Sequence, residues 1–118
     1  MTTSPTTRSA HPYYMHEAIH GQPEAISRLL SDERDSISAL AELAEGSERI
    51  HIVGIGTSWH ASLVGEYLLT TVGGREDARV WNSFEFCSRP PTLGEADLVI
   101  VMSHRGTKMY SAQALELA

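Results

Sequence analysis

Apolar residues recur at helical spacing through the first part of the chain. Between Tyr14 and Gly46 they return every three or four residues, which is typical of helices with one apolar face. Pro23 is predicted to open a second helix, because its missing N–H does no harm in a first turn. Gly46 is predicted to end the helical region. The pattern therefore predicts helices over residues 13–46.

Three apolar runs in the second part of the chain predict β-strands separated by helices. The strands are predicted over 49–55, 78–82 and 96–103. Helices are predicted over 58–72, in a short segment after the second strand, and from Lys108 onward. The third run is almost continuously apolar, which indicates burial on both faces, as in a parallel sheet. The alternation predicts an α/β fold with a doubly wound parallel sheet of about three strands.

The predicted organisation has three parts: a disordered lead-in at 1–12, N-terminal helices at 13–46, and a partial α/β domain at 47–118. The lead-in is rich in Thr, Ser and Pro. No Gly, Asn or Pro stops the last helix before Ala118. A central first strand would also leave the third strand as a long apolar edge, which proteins normally cover. We therefore expect a truncated, incomplete domain, or a partner chain that completes the sheet.

Composition and charge narrow the function classes. The chain has 118 residues, of which 42% are hydrophobic and 20% charged, as expected for a globular domain. The net charge of −6 argues against nucleic acid as a partner, but not against a small anion. No apolar run is long enough to span a membrane, and no secretory signal is visible. Cys87 is the only cysteine, so it is expected to be an inert thiol in a reducing cytoplasm.

Two predicted turns follow strands and lead into helix N-termini. The first comprises residues 54–58 and the second residues 103–108. In open α/β sheets, ligands bind beyond the carboxyl ends of strands. The free N–H groups and positive dipole end of a helix attract anions there. The predicted binding residues are Gly56, Thr57, Ser58, Ser103, His104, Arg105, Gly106, Thr107 and Lys108.

Each turn also allows a simpler interpretation. Its hydroxyl groups can bind phosphate oxygens, or they can cap the helices, as Ser and Thr commonly do. Arg105 and Lys108 can be solvated loop charges, although cations beside a helix N-terminus oppose its dipole by about 0.3–1 kcal/mol each. An anion between them would reverse that penalty. Two glycine-containing turns on adjacent strands favour phosphate binding.

A dinucleotide site is not supported. Gly54 and Gly56 begin the glycine fingerprint, but Trp59 occupies the third glycine position. The second strand ends at Asn82 rather than at the acid that would bind a ribose. We expect no cofactor and no metal. His16 and His20 have a ligand spacing, but they lack a third ligand and are interpreted as a polar helix face.

With these motifs in view, the chain resembles the sugar isomerase (SIS) domain family, and within it the isomerase halves of glutamine:fructose-6-phosphate amidotransferases. The similar segments are HPYYMHEAIHGQPEAI from His11, GIGTSWHASLVGEYLL, VWNSFEFCSR and DLVIVMSHRGTKMYSAQAL. They resemble the family's HYMxKEIxEQPxAI, CGTSYHAGLVAKYWL, VEIASEFRYR and LVIAISQSGETADTLAAL, in the same order. The similarity runs from about residue 11 to the end.

The resemblance implies a SIS- or flavodoxin-like three-layer sandwich, of which this chain would hold about three of five parallel strands. It also implies that Thr57, Ser58, Ser103 and His104 lie at the sugar phosphate, with Thr107 in the same loop. This chain departs from the family's SQSGET motif. His104 replaces a glutamine, Arg105 a serine and Lys108 a threonine, so cations take the place of two hydroxyls. Elsewhere Gly54 and Ile55 replace Ala and Cys, and Cys87 and Ser88 replace Arg and Tyr.

The function implied by the resemblance is binding of a hexose 6-phosphate by part of an aminosugar-phosphate-forming isomerase or amidotransferase. Isomerisation needs positioned proton donors and acceptors, which in the family lie downstream of the matched region. His60 and His104 are expected to line the site without catalysing, Glu85 lines it or caps a short helix, and Trp59 and Tyr67 contact neighbouring helices. Enzyme activity is therefore left open. The alternatives are a non-enzymatic sugar-phosphate-sensing module and a dimerising structural piece. The chain is expected to form a homodimer or to pair with a missing C-terminal half.

Overall fold

The computed structural model describes residues 7–118. Of the predicted lead-in at 1–12, residues 1–6 lie outside the described residues, and 7–12 form neither helix nor strand. The elements, in chain order, are α1 (Tyr14–Asp32), α2 (Arg34–Gly46), β1 (Ile50–Gly54), α3 (Thr57–Thr71), β2 (Ala78–Asn82), α4 (Ser83–Ser88), β3 (Leu98–Met102) and α5 (Met109–Leu117).

The chain forms two compact units that divide between Leu40 and Ala41, within α2. The expectation that Pro23 opens a second helix is wrong, because Pro23 lies inside α1. The break comes instead at Glu33, with φ of −102° and ψ of 16°. Pro23 deprives α1 of a single backbone donor, and the turns on both sides continue through it. Gly46 does end the helical region, as predicted.

The second unit contains a parallel sheet in the order β2-β1-β3, which confirms the predicted α/β class. Ile50 pairs with Ala78 on one side and with Leu98 on the other, and Gly54 pairs with Asn82 and Met102. The three strands therefore end at the same level. All five residues of β1 are buried, because a strand lies on each side of it.

Helices cover both faces of the sheet. On one face Ile50, Ile52 and Ala78 form a buried cluster that Leu69 of α3 contacts. On the other face Val53 meets Phe86 of α4 and Ala114 of α5, all with no exposed surface. Successive residues of β1 thus face opposite helix layers, as the alternation of a strand requires. The result is a three-layer arrangement.

Within the part of the chain that the structure describes, the third strand is an edge, as expected for a central first strand, but its burial differs from the prediction. Its continuous apolar run indicated burial on both faces, but every residue of β3 is only half-buried. Among the described strands β3 pairs with β1 alone, so it forms an edge. Helix α5 lies against one face of β3, and α3 contacts the other face, where Ser62 bonds to Met102, yet the strand stays partly exposed.

Near the amino ends of the strands, buried Asp97 and His51 and exposed Arg49 form a connected polar group. Arg49 donates to both carboxylate oxygens of Asp97, at 2.9 and 2.6 Å. That pairing, with an N–H bond from Gly94, lowers the pKa of Asp97 to about 2. His51 lies beside them in β1, with Nε2 3.6 Å from the Asp97 carboxylate. Trp81 donates its indole N–H to Nδ1 of His51 at 3.0 Å, so neutral His51 carries its proton on Nε2.

We expect the protein to lose stability as the pH falls below about 6.5. Burial lowers the pKa of His51 from its ordinary value of 6.5, with Arg49 adding to that effect and Asp97 opposing it. The unfolded chain therefore takes up a proton that folded His51 does not. Neutral His51 contributes its full stabilisation at pH values above the pKa that it has in the unfolded chain. This stabilisation is lost as the pH falls from that pKa to the lower pKa of His51 in the folded protein.

Urea unfolding from about pH 8 down to about pH 5.5 measures this dependence. His51→Asn should flatten the slope between these limits. The matched variant His60→Asn changes an exposed histidine of α3 and should keep the wild-type slope. A wild-type unfolding free energy that stays constant over this interval contradicts the expectation.

Candidate functional site

Two turns meet beyond the carboxyl ends of β1 and β3, which are neighbouring strands. The first turn leads through Gly56 into α3, and the second runs from Ser103 to Lys108 before α5. Gly54 allows the close start of α3: a Cβ there would lie 2.7 Å from the backbone carbonyl carbon of Ser58. Gly56 and Gly106 take positive φ values of 63° and 65°, which L side chains rarely adopt.

A cavity of about 470 Å³ lies between the two turns. Residues of both turns and of the first turn of α5 form its wall, and these are Ile55, Thr57, Ser58, Ser103, His104, Arg105, Thr107, Lys108 and Ser111. Seven of the nine residues predicted from the sequence are in this set. Gly56 and Gly106 shape the turns, but they are not in the wall.

The helix ends at this cavity have no side-chain caps. Gly56 is the N-cap residue of α3 and Lys108 that of α5, and neither makes a side-chain capping bond. The hydroxyls of Thr57, Ser58 and Thr107 are therefore not used for capping, which was the simpler interpretation of these residues. The first-turn N–H groups of a helix have no carbonyl partner within the helix. Two positive helix ends thus face one space.

Ser103 has a defined hydrogen-bond role in the second turn. Its Oγ accepts from the N–H of Gly106 at 3.1 Å, which closes the turn. An accepted bond leaves the hydroxyl proton of Ser103 available, because a hydroxyl donates one bond and accepts up to two. The side chain can thus donate to a group in the cavity while it holds the turn.

The charges around the cavity are all positive. Arg105 and Lys108 are exposed, and neither forms an ion pair with the described residues. No Asp or Glu is among the wall residues named above. Although the whole chain carries a net charge of −6, this region is locally cationic. Its chemistry suits an anion with several oxygen acceptors.

The comparisons with known proteins agree with this arrangement. No family model matches the chain. The glutamine–fructose-6-phosphate aminotransferase (isomerizing) of Gloeobacter violaceus is 37% identical over 101 residues, which cover 80% of this chain and 16% of the relative. That of Caldanaerobacter subterraneus is 33% identical over 119 residues, covering 94% and 19%. The crystal structure of tagatose-6-phosphate ketose/aldose isomerase from Escherichia coli superposes with a TM-score of 0.72 at 26% identity, covering 95% of this chain and 32% of that one.

The chain belongs to the SIS domain family. The resemblance drawn from the sequence motifs is thereby confirmed, together with the fold it implied. This chain spans only 16% and 19% of the length of these two aminotransferases. In this SIS domain the departures His104, Arg105 and Lys108 all lie in the cavity wall, so they change the site itself.

Other candidate residues of the SIS domain lie elsewhere. His60 is exposed and contacts the Trp59 ring, and it is absent from the cavity wall. Glu85 lines a separate cavity of about 530 Å³ beside Trp81 and Phe84. The Asn82 side chain, not Glu85, caps α4, because it accepts from the N–H of Phe84. These positions do not support direct roles for His60 or Glu85 at the anion site.

The remaining sequence-based interpretations have mixed outcomes. Cys87 is half-buried, its thiol donates to the Tyr110 carbonyl at 3.3 Å, and burial raises its pKa, so it is not an activated nucleophile. Tyr67 was expected to contact a neighbouring helix, but its side chain is 63% exposed. Among residues 7–118, no group of His, Cys, Asp or Glu side chains is arranged to hold a metal ion. No helix in the same range has the length and apolar content needed to cross a membrane.

Two wall residues, Ile55 and Ser111, were not predicted from the sequence. Ser111 is the third residue of α5 and lies in the first turn of the helix, directly after the loop. The sequence contains a signal for Ser111, because it places this serine three residues after Lys108, and the third position of a helix lies near its N-cap. The sequence motif ends with the loop at Lys108 and therefore does not include Ser111.

Proposed function

We propose that this cavity binds the phosphate group of a hexose 6-phosphate. The observation that carries the proposal is the convergence of two uncapped helix N-termini, free hydroxyls and two unpaired cations on one space without carboxylates. A helix N-terminus contributes the equivalent of roughly half a positive charge. Two ends with Arg105 and Lys108 are more than sufficient to balance a phosphate dianion.

Each element has a distinct role in the proposed complex. The hydroxyls of Thr57 and Ser58 bind from α3, while Ser103 and Thr107 bind from the second turn. Arg105 offers two parallel N–H donors to the phosphate oxygens, which is a geometry that lysine cannot provide. Lys108 adds charge at the start of α5, and His104 lines the sugar side.

The sugar class is supported by the relatives and by size. The two aminotransferases are named for fructose 6-phosphate, and the structural neighbour is named for tagatose 6-phosphate. Both compounds are ketohexose 6-phosphates. A volume of about 470 Å³ lies within the range of small-molecule sites.

We propose binding without isomerisation for the part of the chain that the structure describes. Moving a proton between two sugar carbons requires a base positioned at the carbon. No carboxylate is among the wall residues, and in this proposal Lys108 serves the phosphate while His104 lines the sugar side without catalysing. In the whole protein the bound sugar would be a ketose phosphate that is converted to an amino-aldose phosphate. The free thiol of Cys87 supports a reducing, cytoplasmic location for this protein.

Calorimetric titration tests the proposal. Fructose 6-phosphate and glucosamine 6-phosphate should both bind, whereas fructose should not, because the positive site acts on the phosphate. Raising the salt concentration should weaken binding, since exposed cations are screened. Circular dichroism establishes that the titrated protein is folded. A folded wild type that binds neither phosphorylated sugar removes the proposal.

We also propose that the chain pairs with a second copy through α1. Neither α1 nor α2 contains a buried residue, although apolar side chains recur at helical spacing along α1. Those of α1 that are more than half exposed are Met15, Ile19, Ile26, Leu29 and Leu30. An apolar stripe of this kind is normally covered by another surface.

Light scattering after size exclusion should therefore give twice the monomer mass. Replacing both Ile26 and Leu30 by Asp should give the monomer, because a carboxylate in an apolar contact is costly. Arg28→Asp places a carboxylate on the polar side of the same helix and should leave the dimer intact. A monomeric wild type at high concentration rules out this pairing.

A further inference from the structure

Two serines have buried hydroxyls without a hydrogen-bond partner among the described residues. They are Ser83 in α4, with no exposed surface, and Ser111 in α5, which is 3% exposed. Buried polar groups in proteins nearly always have partners, so each exception requires an explanation. Only Ser111 belongs to the wall of the anion cavity.

Two other hydroxyls within the described helices that are at least half-buried bond to the backbone of the preceding turn. Ser62 donates to the Ser58 carbonyl and Thr70 to the Glu66 carbonyl, both at 2.8 Å. This bond to the preceding turn is the standard way for a helical hydroxyl to be satisfied. Ser111 lies in a helix of nine residues and does not make it. Its hydroxyl is thus left free beside the cavity.

We infer that the Ser111 hydroxyl is a further binding group of this site and donates to a phosphate oxygen of the ligand. The inference rests on the proposed function. Ser111 lies in the first turn of α5, where the N–H groups also point toward the cavity end of the helix. Its hydroxyl donates no bond within the described residues, so its proton is available to a group in the space that the residue lines. The negatively charged acceptor makes the resulting bond stronger than one to a neutral carbonyl.

The inference explains why an unfavourable arrangement is kept in the empty protein. A buried hydroxyl without a partner lowers stability, because its bonds to water are lost on folding. If a ligand supplies the hydrogen-bond acceptor for the Ser111 hydroxyl, the stability lost by burying that hydroxyl is recovered only in the complex. Ser111 would then lower the stability of the free protein and raise its affinity for the phosphate ligand. Ser83, which is not part of the cavity wall, would only lower the stability.

Comparison of Ser111→Ala with Ser83→Ala separates these roles. Both variants remove a buried, unpaired hydroxyl, so both should melt at the wild-type temperature or a few degrees above it. Calorimetry with fructose 6-phosphate should show binding about 10-fold weaker for Ser111→Ala, and unchanged for Ser83→Ala. Inorganic phosphate should show the same fold-change, because the bond is made to the phosphate group.

The outcomes distinguish this inference from the proposed function. If the wild type binds and Ser111→Ala binds equally well, the inference is overturned and the phosphate site stands. If the folded wild type binds neither ligand, both are overturned. Should Ser111→Ala fail to fold, Ser111→Cys keeps a small side chain with a much weaker donor, and its affinity should likewise fall. Equal affinity of Ser111→Cys and wild type would again overturn the inference.

Discussion

The double variant Thr57→Ala with Ser103→Ala is expected to bind fructose 6-phosphate at least about 100-fold more weakly than the wild type. A hydrogen bond to a charged group contributes about 1.5–3 kcal/mol, and about 1.4 kcal/mol corresponds to a tenfold change in affinity. Thr57 begins α3, and Ser103 begins the second turn. Removing one hydroxyl from each turn therefore weakens both halves of the site.

Two controls make this result specific. Thr71→Ala removes an exposed hydroxyl at the other end of α3, and its affinity should match the wild type. Melting curves of the double variant are needed as well, because Ser103 also accepts from the N–H of Gly106. A double variant that folds and retains its affinity would show that the hydroxyls do not contact the ligand.

Phe86→Ala is expected to lower the free energy of unfolding by about 3–5 kcal/mol. Phe86 has no exposed surface and lies with Val53 and Ala114 between the sheet and α5. It also meets the edge of the Trp81 ring, with centroids 6.1 Å apart. Truncation removes this buried area and leaves a cavity that the surrounding strands and helices fill only partly. Since domains are stable by only about 5–15 kcal/mol, this loss is a large share of the total free energy of unfolding.

Phe84→Ala is the matched control in the same short helix. Phe84 is 51% exposed, and its main contact is the Tyr110 ring at 5.3 Å. Its loss should lower the unfolding free energy by about 1 kcal/mol. Urea denaturation of both variants gives the comparison. Equal losses for Phe84 and Phe86 would contradict the described core.

The strands and their connections were predictable because local pattern and tertiary environment agree. β1 and β2 combine short apolar runs with turn residues at their ends, and their positions match the prediction within one residue. The meeting of the two cavity-lining turns follows from the same reasoning, since residues after parallel strands lie at one end of the sheet. Seven wall residues were found in this way.

The failures come from effects that depend on contacts in three dimensions. Whether Pro23 begins a helix or lies within one depends on the turns on either side of it, which local preference does not decide. The half-burial of β3 depends on strand order, which the apolar run does not contain. Whether the Ser111 hydroxyl has a hydrogen-bond partner depends on which acceptors lie near it in three dimensions. Composition and residue spacing do not contain that information.

Backbone amide NMR during titration with fructose 6-phosphate is the most direct test of a phosphate held between two turns. The amides of Thr57 and Ser58 should shift together with those of residues 104–111, along one saturation curve. The amides around Arg49 and Asp97, at the opposite end of the strands, should not move. Shifts confined to one turn, or two turns that saturate at different concentrations, would contradict a shared site.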